Sequence, residues 1–218
     1  MEKIKAYLDS IHSTMAKLPL EEIGHAIAVL QWARMNDKQV FIMGNGGSAA
    51  TASHFACDLA KGTLLPDRPR FRVIALTDSM PLFSALANDF GYEHVFSEQL
   101  ASLVRKGDVV IAISGSGNSM NVVSAVKLAR QMQATTIGLL GFDGGLLKDL
   151  VDICVLVLNH TYEQIEDLHL MLAHLICTCI RQAMDAEAYP LPSNLVSEPW
   201  GLRPMGGVTH ADGSVSRS

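Results

Sequence analysis

Two short loops, both rich in glycine and hydroxyl side chains, are the stretches of this chain best suited to chemistry. The first, Gly44–Ser48, reads Gly-Asn-Gly-Gly-Ser and stands between the apolar run Val40–Met43 and an Ala-rich stretch. This order predicts a buried strand, a tight turn and a helix that begins near Ser48. The free N–H groups at the start of such a helix can bind a phosphate. The alternative is a plain turn between a strand and a helix.

The spacing of the glycines limits what the first loop could bind. It lacks the third glycine of a dinucleotide fingerprint and the Gly-Lys-Ser/Thr of a nucleotide P-loop. We therefore expect a phosphate that belongs to a ligand smaller than a dinucleotide, and we expect no nucleotide cofactor.

The second loop, Ser114–Ser119, reads Ser-Gly-Ser-Gly-Asn-Ser. It follows the apolar run Val109–Ile113 and precedes a helical pattern, so it leads into the start of a helix. Each hydroxyl can donate a hydrogen bond to an anionic oxygen, and backbone N–H groups add further donors. A single serine at a helix N-cap would need no phosphate, but three serines in six positions favour phosphate binding.

Two pairs of a histidine and a carboxylate stand on separate predicted helices. His54 and Asp58 are four residues apart, so they lie on one face of the helix after the first loop. On the last predicted helix, Glu166 and His174 belong to one inclined stripe and can face the same region. Such a set could bind zinc or perform acid–base chemistry. The alternative is a surface of solvated charges with His174 packed among apolar neighbours, where it would need a buried partner.

Strands and helices alternate along the chain, which predicts an α/β fold with five parallel strands and helices on both faces of the sheet. Two helices precede the first strand, and a long helix follows the fifth. Ligands of such sheets bind beyond the carboxyl ends of the strands, where both loops lie. The predicted strands are 40–43, 72–76, 108–113, 135–140 and 153–158, and the predicted helices are 2–17, 21–35, one from 48, one from 81, 94–104, 120–131, a short one ending at 150, and 164–183.

Asp78 follows the second predicted strand and reaches the same edge of the sheet. An aspartate there can cap the next helix, which is predicted to start near Pro81, or it can contact a ligand. The sequence leaves both roles open.

The composition narrows the classes of protein that fit. The chain has 218 residues, 49% of them hydrophobic, and a net charge of −5. A sizeable core is therefore available, and the charge argues against a surface for nucleic acid. No apolar run reaches membrane-spanning length, and the N-terminal residues hold no apolar signal core, so we expect a cytoplasmic protein. The four cysteines form no CxxC pair and are predicted to be buried, reduced thiols.

Residues 1–185 are predicted to form a single domain that begins with a pair of helices. From 186 to 218 the chain is rich in proline, glycine and serine and shows little periodicity. That composition predicts an extended or disordered tail.

Taken together, the motifs resemble the sugar isomerase (SIS) family and, within it, the phosphoheptose isomerases, which act on sedoheptulose 7-phosphate. The resemblance covers about residues 1–185 and implies a three-layer, flavodoxin-like sandwich. The motifs that carry it are Gly44–Ser48, His54, Ala87–Gly91, Ser114–Ser119, Gly141–Gly145 and Ile165–His169.

The resemblance also implies roles for individual residues. Asp58 and His174 would be the acid–base pair of an aldose–ketose isomerase that works through an enediol. The implied zinc ligands are His54, Asp58, Glu166 and His174. The implied contacts to a phosphorylated sugar are Asn45, Gly46, Gly47, Ser48, Asp78, Ser114, Gly115, Ser116, Ser119 and Glu166. Because the N-terminal helices of this family pack between subunits, the resemblance also implies a homo-oligomer, namely a tetramer.

Four positions depart from the family pattern, and they cluster at the site. Asp58 replaces a glutamate and is one methylene shorter, while Glu166 replaces a glutamine and adds a negative charge. Gly62, next to Lys61, replaces a basic residue, and Gly115 replaces a threonine. These changes suggest a different sugar phosphate or a diverged activity.

Three functions fit the sequence. The first is isomerisation of sedoheptulose 7-phosphate. The second is a non-catalytic SIS protein that binds a sugar phosphate as a regulator, and the third is isomerisation of another sugar phosphate in surface-glycan synthesis. The presence of both His54 and His174 favours an enzyme, because a pure binding protein needs neither.

Overall fold

The computed structural model of the chain describes residues 1–185, and the predicted tail at 186–218 lies outside them. Five parallel strands form one sheet in the order β2-β1-β3-β4-β5, which confirms the predicted α/β class. The strands are β1 (Gln39–Gly44), β2 (Arg72–Ala75), β3 (Val109–Ser114), β4 (Thr135–Leu140) and β5 (Ile153–Leu156).

Helices cover both faces of this sheet and complete the predicted three-layer sandwich. They are α1 (Glu2–Met15), α2 (Leu20–Met35), α3 (Gly47–Cys57), α4 (Met80–Phe90), α5 (Ser97–Leu103), α6 (Met120–Gln131) and α7 (Tyr162–Asp185). Buried side chains of α2, α3 and α7 form a core with one face of the sheet. Those of α5 and α6 form a second core with the other face. Among residues 1–185, no helix is both long enough and apolar enough to cross a bilayer.

The strands carry apolar residues on both sides because both faces of the sheet are covered. In β1, Val40 and Ile42 enter the first core, whereas Phe41 and Met43 enter the second. Side chains alternate between the faces of a strand, so a strand buried on both faces is a continuous apolar run in the sequence.

Several predicted boundaries were wrong by a few residues. Tyr92–His94 forms a 3-10 turn, so α5 begins at Ser97 rather than at residue 94. The short helix predicted to end at residue 150 is a 3-10 turn over Gly145–Leu147. β5 ends at Leu156 instead of residue 158. These differences arise at element ends, where a few local hydrogen bonds decide the conformation and side-chain periodicity carries little information.

The prediction of four buried cysteines was wrong in part. All four thiols are free, but only Cys177 is buried, and Cys57 is exposed at the end of α3. That helix buries the side on which Ala52 and Phe55 lie, which leaves Cys57 facing solvent.

Candidate active site

Both glycine-serine loops lie at the carboxyl edge of the sheet. β1 and β3 are hydrogen-bonded neighbours, and the chain continues from β1 to β2 on one side and from β3 to β4 on the other. In this strand order the topological switch point falls between β1 and β3, where ligands of open α/β sheets bind. The first loop (Gly44–Ser48) and the second loop (Ser114–Ser119) therefore begin side by side at the switch point.

The first loop turns the chain from β1 into α3. Gly46, the N-cap of α3, has φ 54° and ψ −121°, a conformation that residues with a side chain rarely adopt. The N–H groups of Gly47 and Ser48 belong to the first turn, where a helix supplies no acceptor. Such N–H groups can donate to an anion, so phosphate binding here stays a prediction, and the Ser48 side chain is itself buried.

The second loop uses two of its hydroxyl groups to hold its own shape. Ser114 Oγ accepts a hydrogen bond from the Gly117 N–H at 3.0 Å, and Ser116 Oγ accepts one from the Asn118 N–H at 3.3 Å. Ser119 is the N-cap residue of α6 but makes no side-chain capping bond. Because an accepting hydroxyl keeps its own proton, these serines can still donate to a ligand.

A pair of asparagine side chains joins the two loops. Asn45 Nδ2 donates to Asn121 Oδ1 at 2.9 Å, and Asn121 Nδ2 donates to Asn45 Oδ1 at 2.8 Å. The Tyr92 hydroxyl donates to the same Asn45 oxygen at 2.9 Å. Neither Asn121 nor Tyr92 was expected at the site from the sequence. The signal for Asn121 was a polar residue in the otherwise apolar first turn of α6.

Asp78 is tied to α3 and caps no helix. Its carboxylate accepts a hydrogen bond from Ser53 Oγ. The N-cap residue of α4 is Ser79, and no side chain caps that helix. The capping role considered for Asp78 is therefore wrong, and ligand contact stays a prediction.

Gly115 lies against the ring of Tyr162. A methyl group at Gly115 would come within 3.1 Å of two ring carbons. The Tyr162 ring is held in turn by Phe142, with 4.8 Å between the two ring centroids. A side chain at position 115 would therefore require the Tyr162 ring to shift by a few tenths of an ångström.

One carboxylate and two imidazoles converge near the start of the π-helical turn that follows α3, Asp58–Gly62. His54 Nε2 lies 3.0 Å from His174 Nε2, and Asp58 Oδ2 lies 3.3 Å from His54 Nε2 and 3.6 Å from His174 Nε2. His54 belongs to α3 and His174 to α7. These helices pack on the same face of the sheet, which is why residues far apart in the sequence meet.

His174 is exposed, so the interpretation as a packed histidine is wrong. About half of its side chain, 51%, is accessible, and its partners are His54 and Asp58. The buried histidine of α7 is His169, which is 1% exposed. Neither ring nitrogen of His169 has a hydrogen bond of good geometry within the described part of the chain.

Glu166 stands apart from the group of His54, Asp58 and His174. Its carboxylate rests against Gly47 at the start of α3, so closely that a methyl group on Gly47 would clash with it. A carboxylate is favourable next to a helix N-terminus. Three of the four predicted zinc ligands are therefore assembled within the described chain, and Glu166 faces the first loop instead.

The donor set of these three residues fits zinc. A tetrahedral zinc ion with bonds of about 2.0–2.1 Å to nitrogen and oxygen holds its ligand atoms about 3.3 Å apart. The observed separations of 3.0, 3.3 and 3.6 Å bracket that value. Three protein ligands with a fourth position open are typical of catalytic zinc sites.

Cys177 lies one turn after His174 on α7. Burial, reinforced by the negative charge of Asp58, raises the pKa of the Cys177 thiol to about 12. The thiol therefore stays protonated at neutral pH and contributes no thiolate to the site.

The fold and the site define an SIS-domain protein, and residues 2–141 match the SIS domain family. The chain is 37% identical to the phosphoheptose isomerase of Geotalea uraniireducens over 84% of this chain and 98% of that protein. It is 43% identical to the phosphoheptose isomerase of Aliarcobacter butzleri over 66% of this chain and 76% of that protein. The solved structure of the Neisseria gonorrhoeae phosphoheptose isomerase has a TM-score of 0.77 and 34% identity, over 83% of this chain and 98% of that one. The chain belongs to the phosphoheptose isomerase family.

Proposed function

We propose that this protein is an aldose–ketose isomerase that converts sedoheptulose 7-phosphate into a heptose 7-phosphate through an enediol. The observation that carries the proposal is the 3.6 Å separation between Asp58 Oδ2 and His174 Nε2, where the end of α3 meets α7. Membership of the family supports the choice of substrate.

Phosphate binding is proposed at the switch point. The free N–H groups of the first loop and the hydroxyl groups of the second loop hold the phosphate, which fixes one end of the substrate. Fixing that end places the reacting carbons against α3 and α7 without a further loss of freedom at the chemical step. The proposed contacts are Asn45, Gly46, Gly47, Ser48, Asp78, Ser114, Gly115, Ser116, Ser119 and Glu166.

Asp58 and His174 form the proposed acid–base pair. One group takes the proton from the carbon next to the carbonyl and returns it to the neighbouring carbon. The other moves the proton between the two oxygens. Without a bound metal, Asp58 Oδ2 and His174 Nε2, which lie 3.6 Å apart, can both exchange protons with adjacent positions of one sugar.

We propose that His54, Asp58 and His174 hold one zinc ion with a fourth position open, whereas Glu166, the fourth predicted ligand, lies at the first loop. Bound zinc would stabilise negative charge on the oxygens of the enediolate. Zinc titration should show one ion per chain, and His54→Ala should weaken binding by at least about tenfold because one ligand is lost. Zinc binding that is unchanged in His54→Ala would place the metal elsewhere.

We further propose that the protein forms a homo-oligomer, a tetramer, and that it works in the cytoplasm. Large apolar side chains exposed on α1 and α4 support an interface between copies of the chain. The four free thiols fit a reducing compartment.

The test is an assay of the purified protein with sedoheptulose 7-phosphate, with and without zinc. Wild type should turn over, and His174→Ala should lose about 10²-fold or more, the contribution expected of an acid–base group. Lys127→Ala, on the exposed surface of α6 and away from α1 and α4, is the control and should keep full activity. No turnover by wild type, or equal turnover by His174→Ala, would contradict the proposal, and binding without turnover would indicate a non-catalytic sugar-phosphate-binding protein.

A further inference from the structure

The two loops are connected through Asn121, a side chain that has no place among the proposed substrate contacts. Asn121 is 2% exposed, and both heavy atoms of its amide group bond to the amide group of Asn45. A reciprocal amide pair of this kind fixes both the distance and the angle between the two groups. It therefore sets the separation of the first loop from the start of α6.

We propose that Asn121 is a positioning residue, which acts through Asn45 to hold the two loops at the spacing that a phosphate requires. The Tyr92 hydroxyl also holds Asn45, because it donates a hydrogen bond to Asn45 Oδ1. The inference rests on the proposed function, because it assumes that the two loops bind one phosphate. It assigns Asn121 no contact with the reacting carbons.

The backbone of α6 determines which atom Asn45 turns toward a ligand. The Val122 N–H can only donate, and it is shared between the Ser119 carbonyl and Asn121 Oδ1, each at 3.0 Å. Asn121 Nδ2 must then donate to Asn45 Oδ1, and Asn45 Nδ2 must donate in return. One Asn45 N–H remains outside the pair, and it is a donor. Asn45 thus offers a proton to an anion instead of a repelling oxygen.

Tyr92 is held where its hydroxyl can bond to Asn45. Its ring meets Phe83 edge to face at 5.8 Å, and Phe83 meets Phe96 at 5.7 Å. Phe96 is fully buried in the second core, which α5 and α6 form with the sheet. The 2.9 Å hydrogen bond from the Tyr92 hydroxyl to Asn45 Oδ1 links these three aromatic rings to the first loop.

The experiment measures kinetics with sedoheptulose 7-phosphate and, separately, the affinity for inorganic phosphate by calorimetry. Asn121→Ala should raise KM and the Kd for phosphate together by about tenfold, the effect of one or two lost hydrogen bonds. The value of kcat should change by less than about threefold, because binding is lost equally in the ground state and the transition state. Tyr92→Phe, which removes a single hydroxyl, should give the same change on a smaller scale, about two- to fivefold.

A double-mutant cycle shows whether Asn121 acts through Asn45. The double variant Asn45→Ala/Asn121→Ala should be within about twofold of Asn45→Ala alone, since the bridge is already lost. Asn36→Ala removes an exposed amide that bonds to Trp32 at the opposite end of β1, and this control should leave both constants unchanged.

Three results would overturn the inference: a phosphate Kd and KM that stay at wild-type values in Asn121→Ala, a fall in kcat alone, or additive effects in the double variant. If Asn121→Ala does not fold, Tyr92→Phe is used to test the inference instead. An unchanged phosphate Kd in Tyr92→Phe then rejects it. Phosphate calorimetry needs no turnover, so it separates failure of this inference from failure of the isomerase assignment.

Discussion

Asp58 lies close to both histidines of the site although it is one methylene shorter than the glutamate that the resemblance implies. Its Oδ2 atom lies 3.3 Å from His54 and 3.6 Å from His174. The side chain is 29% exposed, so water and substrate can reach it. The shorter acid therefore lies within reach of both imidazoles, as the proposed acid–base role requires.

Asp58→Asn should keep the shape of the site and remove its negative charge. We expect kcat for sedoheptulose 7-phosphate to fall by about 10²–10⁴-fold, because the amide cannot accept a proton from carbon. Steady-state kinetics on the purified variant measures this, and the thermal midpoint serves as the control for folding. An Asp58→Asn variant as active as wild type would remove Asp58 from the acid–base pair.

His169 makes the stability of the protein sensitive to acid. Burial lowers the pKa of His169 to about 4 from the usual 6.5, and the nearby Leu140 backbone opposes this only weakly, without a bond of good geometry. Above pH 6.5 the ring is neutral in the folded and unfolded states. Between pH 6.5 and about 4 only the unfolded chain takes up the proton, so the free energy of unfolding falls by up to about 1.4 kcal/mol per pH unit. Below about pH 4 both states are protonated and the loss stops growing.

His169→Leu should remove this pH dependence. From pH 7 to pH 5 the variant should lose about 2 kcal/mol less stability than wild type. Urea unfolding at the two pH values measures the difference. His12→Gln, a change at an exposed histidine, should behave like wild type. Equal losses in wild type and His169→Leu would show that the buried ring does not stay neutral.

At the scale of elements, the backbone of the second loop packs directly against the turn that follows β4. Gly117 has φ 67°, and a methyl group on it would overlap the Gly144 carbonyl. The Leu147 N–H also donates to the Gly117 carbonyl at 3.1 Å. The backbones of the loop and the turn can therefore lie this close together only with glycine at position 117.

Gly117→Ala should lower the free energy of unfolding by about 3 kcal/mol or more, because the left-handed backbone and the overlap with backbone both oppose the methyl group. Chemical denaturation measures the change. Gly24→Ala is the matched control: Gly24 lies inside α2 with open space around it, so alanine there should be neutral or add up to about 1 kcal/mol. Equal stability of the two variants would mean that the turn after β4 moves away at little cost.

At the scale of the whole molecule, two helices leave their apolar sides uncovered. On α1, Ile4 and Leu8 are 60% and 59% exposed. α4 buries none of its residues, and Met80 and Phe90 at its two ends are 65% and 57% exposed. Uncovered apolar surface of this extent is typical of interaction sites, and it supports the proposed homo-oligomer.

The mass in solution should be a multiple of 23.6 kDa, and four times that value is expected for the proposed tetramer. Leu8→Glu should shift the mass toward that of the monomer, because a charge in an apolar interface is costly. Light scattering coupled to gel filtration measures both. Ser13→Glu, an exposed change on the side of α1 away from Ile4 and Leu8, controls for added negative charge and should leave the mass unchanged. A monomeric wild type would refute the interface.

The order of elements, the parallel sheet and the position of both loops could be predicted from the sequence. They follow from local patterns: apolar runs such as Val109–Ile113 indicate buried strands, and glycine with serine after a strand indicates a turn into a helix. The three residues His54, Asp58 and His174 could also be named in advance, because residue type and helical spacing are local properties. Their roles remain predictions.

The sequence by itself determined the class of fold and the edge of the sheet where chemistry is possible, since both depend on residues close together in the chain. Only the tertiary structure decided that Asn121 joins Asn45, that Glu166 faces the first loop, and that His169 rather than His174 is buried. Each of these depends on which sides of α3, α6 and α7 meet, and helical periodicity does not specify how one helix is rotated against another. Side-chain contacts across the packed layers therefore become known only when the layers are assembled.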